Sequence, residues 1–259
     1  ILKAEHARAH QEGLIHIHDM DFEAIGTLTC CQIDIKKLFK GGFSPGHGQL
    51  REPQDIMSYA ALAAIAIQSN QNDQHGGQSI PNFDYGLAPG VNKTFVRAYK
   101  ENLQKVLSVE FDWLEEDSLA EIVDKVVLPY REKDGEYPRI GESHYEAYRA
   151  GEHLRLLSEL KENMVEIDGK QAEKIQSIVY RFAKKETIKK TYQAMEGFLH
   201  NLNTMHSRAG AQVPFSSVNF GTDTTPEGRL VVEQFLLSVE AGLGNGETAI
   251  FPISIFKVK

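Results

Sequence analysis

Hydrophobic and polar positions change period along this chain, and the changes mark its elements. Residues 1–13, ILKAEHARAHQEG, have helical spacing and end at Gly13, a residue suited to a C-cap. LIHIH at 14–18 then alternates with period two. As a strand it sets Leu14, His16 and His18 on one face and Ile15 and Ile17 on the other. IDIKKLFKGG reads as a helix closed by glycines, and SPGHGQLREP reads as a loop. A helix with Pro53 in its first turn follows, to about Asn70. NQNDQHGGQSIPNF at 70–83 is polar and glycine-containing between apolar flanks, and reads as a loop. From 91 to about 200 the pattern is helical and charge-rich, broken near REKDGEYPRIG and EIDGK. Its last helix runs from Lys170 towards Met205. SRAGAQ turns into VPFSSVNFG, a strand; 226–242 is a helix and TAIFPISIFKVK a strand. Helices alternating with strands at both ends predict an α/β fold, helix-rich, with a helical insertion or layer in the middle. A first residue already inside a helix, with no methionine, predicts an internal piece of a longer protein.

Composition narrows the classes. The 259 residues are 41% hydrophobic and 25% charged, ordinary for a globular protein with a substantial core. The net charge of -8 argues against a nucleic-acid surface. The best apolar run, AALAAIAI at 60–67, is far too short for a bilayer, and no stretch has the form of a signal peptide. A cytoplasmic protein with no nucleic-acid and no membrane partner is expected.

The candidate chemistry is concentrated early. HIHDMDFEAIGTLTCC at 16–31 holds two histidines, two aspartates and both cysteines of the chain. A disulfide between the adjacent Cys30 and Cys31 is geometrically strained and closes no useful loop. The pair is therefore buried packing, a metal-ligand set or redox chemistry. QIDI after the pair opens a helix, and a thiol near a helix N-terminus has its thiolate form favoured. His16 and His18 either bind a metal from one strand face or line a pocket with polar groups; spacing alone leaves both open.

Two further stretches carry polar groups in unusual density. The DQHGGQ loop at 73–78 lacks the spacing and the lysine of a P-loop. Gly76 and Gly77 let backbone approach a ligand or simply make a turn, and alone the turn is favoured. HNLNTMHSRAGAQVPFSSVNFG at 200–221 sets neutral donors and acceptors, among them Asn203, Gln212, Ser216, Ser217 and Asn219, around Arg208. That composition suits a buried polar ligand better than solvent.

GLIHIHDMDF, TCCQID, NQNDQHGGQSIPNFDYGLAPGV, NLNTMHSRAGAQVPFSSVNFG and ETAIFPISIFKVK fall in an order and spacing that resemble the anaerobic, glycyl-radical ribonucleoside-triphosphate reductases. The resemblance spans nearly the whole chain and is weakest between about 100 and 165. It implies part of a ten-stranded α/β barrel, with residues 1–259 as the N-terminal half of the catalytic domain and a helical insertion at about 100–165. It implies reduction of ribonucleoside triphosphates to deoxyribonucleotides, in which a glycyl radical near the C-terminus of the parent generates a thiyl radical. In the formate-using branch a second cysteine on an early strand faces that thiyl across the ribose. Its motif is Asn-Cys, a hydrophobic or small residue, then Leu/Ile-Asp. TCCQID places Cys30 there, with Thr29 where the family has asparagine and Cys31 where the family accepts varied residues. A thiol suits this step because its S–H bond is weak enough to exchange hydrogen atoms with a carbon radical.

The same resemblance implies substrate contacts from Ser216, Ser217, Asn219, Gly76, Gly77, His16 and His18. Ser216 and Ser217 are expected to donate hydroxyl hydrogen bonds. No metal site is expected in this segment. The radical glycine and the zinc cysteines fall beyond Lys259 in the family's order, and the ATP-binding cone precedes the region. Implied partners are formate, a radical-SAM activating enzyme, ATP or deoxynucleotide effectors, and a second copy in a homodimer. This segment alone is expected to be inactive. Two other readings stay open: a metal-dependent hydrolase built on His16, His18 and the cysteines, and a non-catalytic nucleotide-sensing module.

Overall fold

The computed structural model describes residues 2–18, 20–22, 24–26, 29–131, 136–208 and 210–258, with Asp21 described in its backbone alone. In chain order the elements are α1 (Ala4–Gln11), β1 (Cys31–Gln32), α2 (Ile35–Phe39), α3 (Ile56–Asn70), β2 (Gln78–Ile80) and α4 (Phe83–Glu110). Then come α5 (Glu116–Val126), α6 (Glu142–Glu162), α7 (Gly169–Thr204), β3 (Ser216–Phe220), α8 (Pro226–Ala241) and β4 (Ile253–Phe256).

The four strands are all parallel, in the order β1-β2-β3-β4, so every connection is a helical crossover. Gln32, Ser79, Ser217 and Ile253 stand side by side across the sheet, as do Cys31, Gln78 and Ser216 one residue earlier. Alternation then gives the sheet two unlike faces. Ser216, Val218 and Phe220 of β3 are buried, while Ser217 and Asn219 are half-buried. Gln78 and Ile80 of β2 are likewise buried against Ser79. The buried face packs on helices: the Phe220 ring meets Phe235 of α8 at 5.5 Å, and Phe83 lies between Phe198 and Phe235 at 5.2 and 5.3 Å. The other face is open.

Sequence signals explain where the helices start. Asp55 caps α3 in a capping box with Ser58, and Asp168 caps α7 in one with Gln171. Thr225 caps α8, with Pro226 in its first turn. The alanines of α3 (Ala60, Ala63, Ala64 and Ala66 are buried) let it lie close to its helical neighbours. Helices α5 and α6 join the same core as α4 and α7, through residues such as Leu103, Ile122, Leu156 and Val179. No helix among the described residues is long and apolar enough to cross a membrane.

Three polar tethers fix this arrangement. Asp84, fully buried at the start of α4, accepts the N–H groups of Gly221, Thr222 and Asp223 through Oδ2 at 2.8, 3.1 and 3.0 Å. Arg139 donates from Nε and Nη2 to both oxygens of Glu227, each at 2.8 Å. Glu152 is buried between α4, α6 and α7, where Tyr99 Oη and Gln176 Nε2 donate to its Oε2 at 2.9 and 2.8 Å. Its Oε1 has no hydrogen-bond partner among the described residues. Burial, ahead of any charge, pushes the Glu152 carboxyl up to about 7.

The differences from the sequence reading have local causes. LIHIH forms no strand: the chain runs irregularly there, with the Ile17 N–H donating to His10 Nδ1 at 3.1 Å and Leu14 exposed. Five alternating residues without a partner strand do not make a ladder. Pro53 falls two residues ahead of the N-cap Asp55 and not within the first turn. The 70–83 stretch contains a whole strand, β2, whose polar Gln78 and Ser79 sit mid-sheet. Helix α4 begins at Phe83, well before 91, and runs through Gly86, Pro89 and Gly90. Gly86 lets α2 sit close there, because a Cβ would run into the Ile35 side chain of α2. The described strands form an open four-stranded parallel sheet with β4 at one edge, which is compatible with the expected part of a larger barrel.

Candidate functional site on the open sheet face

Cys30, Cys31, Gln32, Gly77, Gln78, Ser79, Phe215 and Ser217 line an open cavity of about 370 Å³ on the uncovered face. It forms because three segments arrive in register: the TCCQ segment at β1, the paired glycines before β2, and the start of β3. Gly76 is in the left-handed region at φ +97, and a Cβ there would lie 2.6 Å from the Thr29 carbonyl oxygen and 3.1 Å from Cys30 Sγ. Glycine at this position therefore serves close approach to the cysteine as well as the turn. At Gly77 a Cβ would meet the Phe215 ring at 3.0 Å, so the missing side chain also lets that ring reach across β2.

The two cysteines differ. Cys30 is exposed and Cys31 half-buried. Asn70, the last residue of α3, donates from Nδ2 to Cys31 Sγ at 3.0 Å and to Gln78 Oε1 at 2.8 Å. Burial pushes the Cys31 thiol up in pKa, outweighing the Asn70 hydrogen bond. This reverses the expectation of a helix-activated thiolate. The cysteines precede the N-cap of α2, Asp34, by three residues or more, and α2 has only five residues. A helix dipole acts within the first turn.

The predicted substrate residues are placed as follows. Ser217 lines the cavity, and Asn219 shares its face, donating from Nδ2 to Ser79 Oγ at 2.8 Å. Ser216 is fully buried on the helix-covered face, with no partner for its hydroxyl among the described residues. The expected pair of hydroxyls is thus split between the two faces. Gly76 and Gly77 border Cys30 and Phe215. His16 and His18 are exposed, with ring centroids 5.7 Å apart, and neither lines the cavity. Among the described residues no three His, Cys, Asp or Glu side chains are grouped to hold a metal ion.

Much of the polar 200–221 stretch is committed internally. Arg208 Nε donates to Gln212 Oε1 at 2.8 Å, Ser207 donates to Gln71 Oε1, and Gln71 Nε2 donates to the Gln212 carbonyl at 3.4 Å. Asn203 Oδ1 accepts the N–H groups of Ile250 and Phe251 at 2.9 and 3.0 Å. Sequence reasoning missed Ser79, Phe215 and Asn70. Ser79 carried one usable signal, its place in QSI directly after paired glycines.

The sequence that builds this face matches the model of a known family, anaerobic ribonucleoside-triphosphate reductase, over residues 1–259. The chain belongs to that family. The anaerobic ribonucleoside-triphosphate reductase of Enterobacteria phage T4 is 25% identical over 247 residues, covering 95% of this chain and 29% of the phage protein. That of Escherichia coli (strain K12) is 24% identical over 261 residues, covering 100% of this chain and 27% of the bacterial protein. The chain thus spans less than a third of the length of these reductases. In terms of the anaerobic reductase family, the open face with Cys30 lies inside the shared segment.

Proposed function

We propose that the protein containing this chain reduces ribonucleoside triphosphates to 2'-deoxyribonucleoside triphosphates by thiyl-radical chemistry, with Cys30 as the hydrogen-donating thiol. The reading is carried by one observation beside the family match: Cys30 stands exposed at the mouth of the open-face cavity, next to Gly76, Gly77 and Ser217. Formate is the reductant on this reading, so that triphosphate, formate and a proton give deoxytriphosphate, carbon dioxide and water.

Within the segment, Cys30 exchanges a hydrogen atom with the substrate or its reductant. Ser217 and Asn219 donate to the sugar and phosphates, and the Gly76–Gly77 backbone lets them approach. His16 and His18 are the candidates for contacts outside the cavity. Ser216, behind the sheet, is assigned no direct substrate contact.

The chain is read as the N-terminal half of a ten-stranded catalytic barrel with residues 100–165 inserted. The radical glycine and the zinc cysteines belong to the remainder of the parent. A radical-SAM activating enzyme, ATP or deoxynucleotide effectors, a homodimer and a cytoplasmic location complete the proposal.

The test is Cys30→Ser in the activated full-length parent, with deoxynucleotide formed per glycyl radical as the readout. Loss of formate-dependent product with the radical intact supports the assignment. Full activity overturns it.

A further inference from the structure

Cys30 directly precedes β1, a strand with little of its own to hold it. β1 is two residues long and lies at the edge of the described sheet. Two backbone bonds join this segment to β2 and its approach: the Cys31 N–H donates to the Gly77 carbonyl at 3.1 Å and the Ile33 N–H to the Ser79 carbonyl at 2.7 Å. Segments with so few bonds open at low free-energy cost. Transfer of an atom at Cys30, by contrast, tolerates little misplacement, and about 1 Å can cost a hundredfold in rate.

The remaining hold comes from behind the sheet. Cys31, Gln78 and Ser216 stand opposite one another in adjacent strands, and Gln78 and Ser216 are buried. This is a polar row where a sheet packed on helices normally presents apolar side chains. Apolar contact would fill the same space without fixing a direction, whereas hydrogen bonds set both distance and angle. Asn70 uses both protons of its amide on this row, one on Cys31 Sγ at 3.0 Å and one on Gln78 Oε1 at 2.8 Å. Its own position is firm. In the same last turn of α3, Gln68 Nε2 donates to the Asn201 carbonyl of α7 at 3.0 Å, and Ser69 Oγ donates to the Pro45 carbonyl at 2.8 Å. Asn70 thus grips β1 and β2 together at the level of Cys31, one residue from the thiol that sits against Gly76. It does not itself line the cavity.

We propose that Asn70 is a positioning residue for the Cys30 thiol, acting through Cys31 and Gln78 without touching substrate. The proposal rests on the reading of Cys30 as the hydrogen donor.

The experiment compares Asn70→Ala, Asn70→Asp, Cys30→Ser and Arg139→Ala in the activated full-length parent. Asn70→Asp keeps the shape and loses both donors; Arg139→Ala weakens the fold elsewhere and serves as the structural control. Amide hydrogen exchange and steady-state kinetics per glycyl radical are the readouts. Both Asn70 variants are expected to exchange the Cys31 and Ile33 amides about tenfold faster, with α7 unchanged. Their kcat should fall about 10- to 100-fold with KM within about twofold, while Arg139→Ala keeps both constants. An unchanged kcat in Asn70→Ala beside an inactive Cys30→Ser overturns the role of Asn70 and leaves that of Cys30 standing. Wild-type behaviour of Asn70→Asp overturns it as well, because the donors are then not needed. An equal fall of kcat in Arg139→Ala marks general destabilisation and also overturns it. If Cys30→Ser is fully active, the reading of Cys30 fails and the positioning role fails with it.

Discussion

Asn70 and Cys31 are joined across the helix–sheet boundary, Asn70 Nδ2 lying 3.0 Å from Cys31 Sγ. The same amide group also holds Gln78, so the end of α3 is tied to both β1 and β2. Among the described residues only Cys31 of the two adjacent cysteines has such a tether, and this separates their chemistry. Cys30 should react with iodoacetamide at pH 8 well before Cys31, whose thiol is half-buried and pushed up in pKa. Asn70→Ala should bring the second rate closer to the first. Peptide mapping after timed alkylation decides it, and equal rates in the unchanged protein would contradict the geometry.

In the full-length parent, Cys31→Ser should keep turnover while costing about 1–2 kcal/mol of stability, because a hydroxyl is harder to bury than a thiol. Urea titration gives the stability and product per radical gives the turnover. Inactivity of a folded, radical-bearing Cys31→Ser enzyme would transfer the redox role to the wrong sulfur.

Glu152 makes stability depend on pH in the neutral range. Its carboxyl is raised from 4.5 to about 7 in the fold, chiefly by burial. The folded state therefore binds the proton more tightly than the unfolded chain does. The contribution is fully present below about pH 4.5 and is lost as pH rises through 7. The loss amounts to about 3 kcal/mol by pH 8 or above. Glu52, Asp55 and Glu186, whose carboxyls are lowered, act in the opposite sense and only as pH falls below their unfolded values. Between pH 5 and 8, then, thermal midpoints should fall, and Glu152→Gln should flatten the fall. A flat profile in the unchanged protein would exclude the mechanism.

Arg139 and Glu227 form a two-point ion pair whose carboxylate is only 1% exposed. Arg139→Ala strands that charge and should cost about 3 kcal/mol, whereas removing both partners together should cost much less. Denaturant midpoints of the two single variants and the double variant measure the difference.

Gly76→Ala tests the close approach at the candidate site. The added methyl meets backbone at 2.6 Å in a left-handed conformation, so the loop must move away from Cys30. A stability loss of about 1–3 kcal/mol is expected, together with faster alkylation of Cys30.

Much of this was legible from residue pattern. The long helix α7, the strand at Ser216–Phe220 and helix α8 were each marked by period, cap residue or turn. Strand β2 was hidden because Gln78 and Ser79 are polar, and a short central strand with polar residues has no hydrophobic run. The start of helix α4 is masked in the pattern because Gly86, Pro89 and Gly90 resemble loop punctuation, although Gly86 serves close contact with α2. At the candidate site, the motifs name Cys30 and Ser217, and both line the cavity. The facing of Ser216 became clear only once the register of β3 against β2 was known. The tie between Asn70 and Cys31 spans 39 positions and has no local signature.

Asp84 has a consequence for where phosphates can go. Three successive backbone N–H groups at the end of β3 converge on one oxygen, and such a cradle is the usual place for a bound anion in an α/β protein. Here the chain supplies its own anion, fully enclosed. The carboxylate acts as a permanent internal ligand, and an incoming phosphate is shut out of the loop between β3 and α8. Any phosphate this segment receives must be held elsewhere.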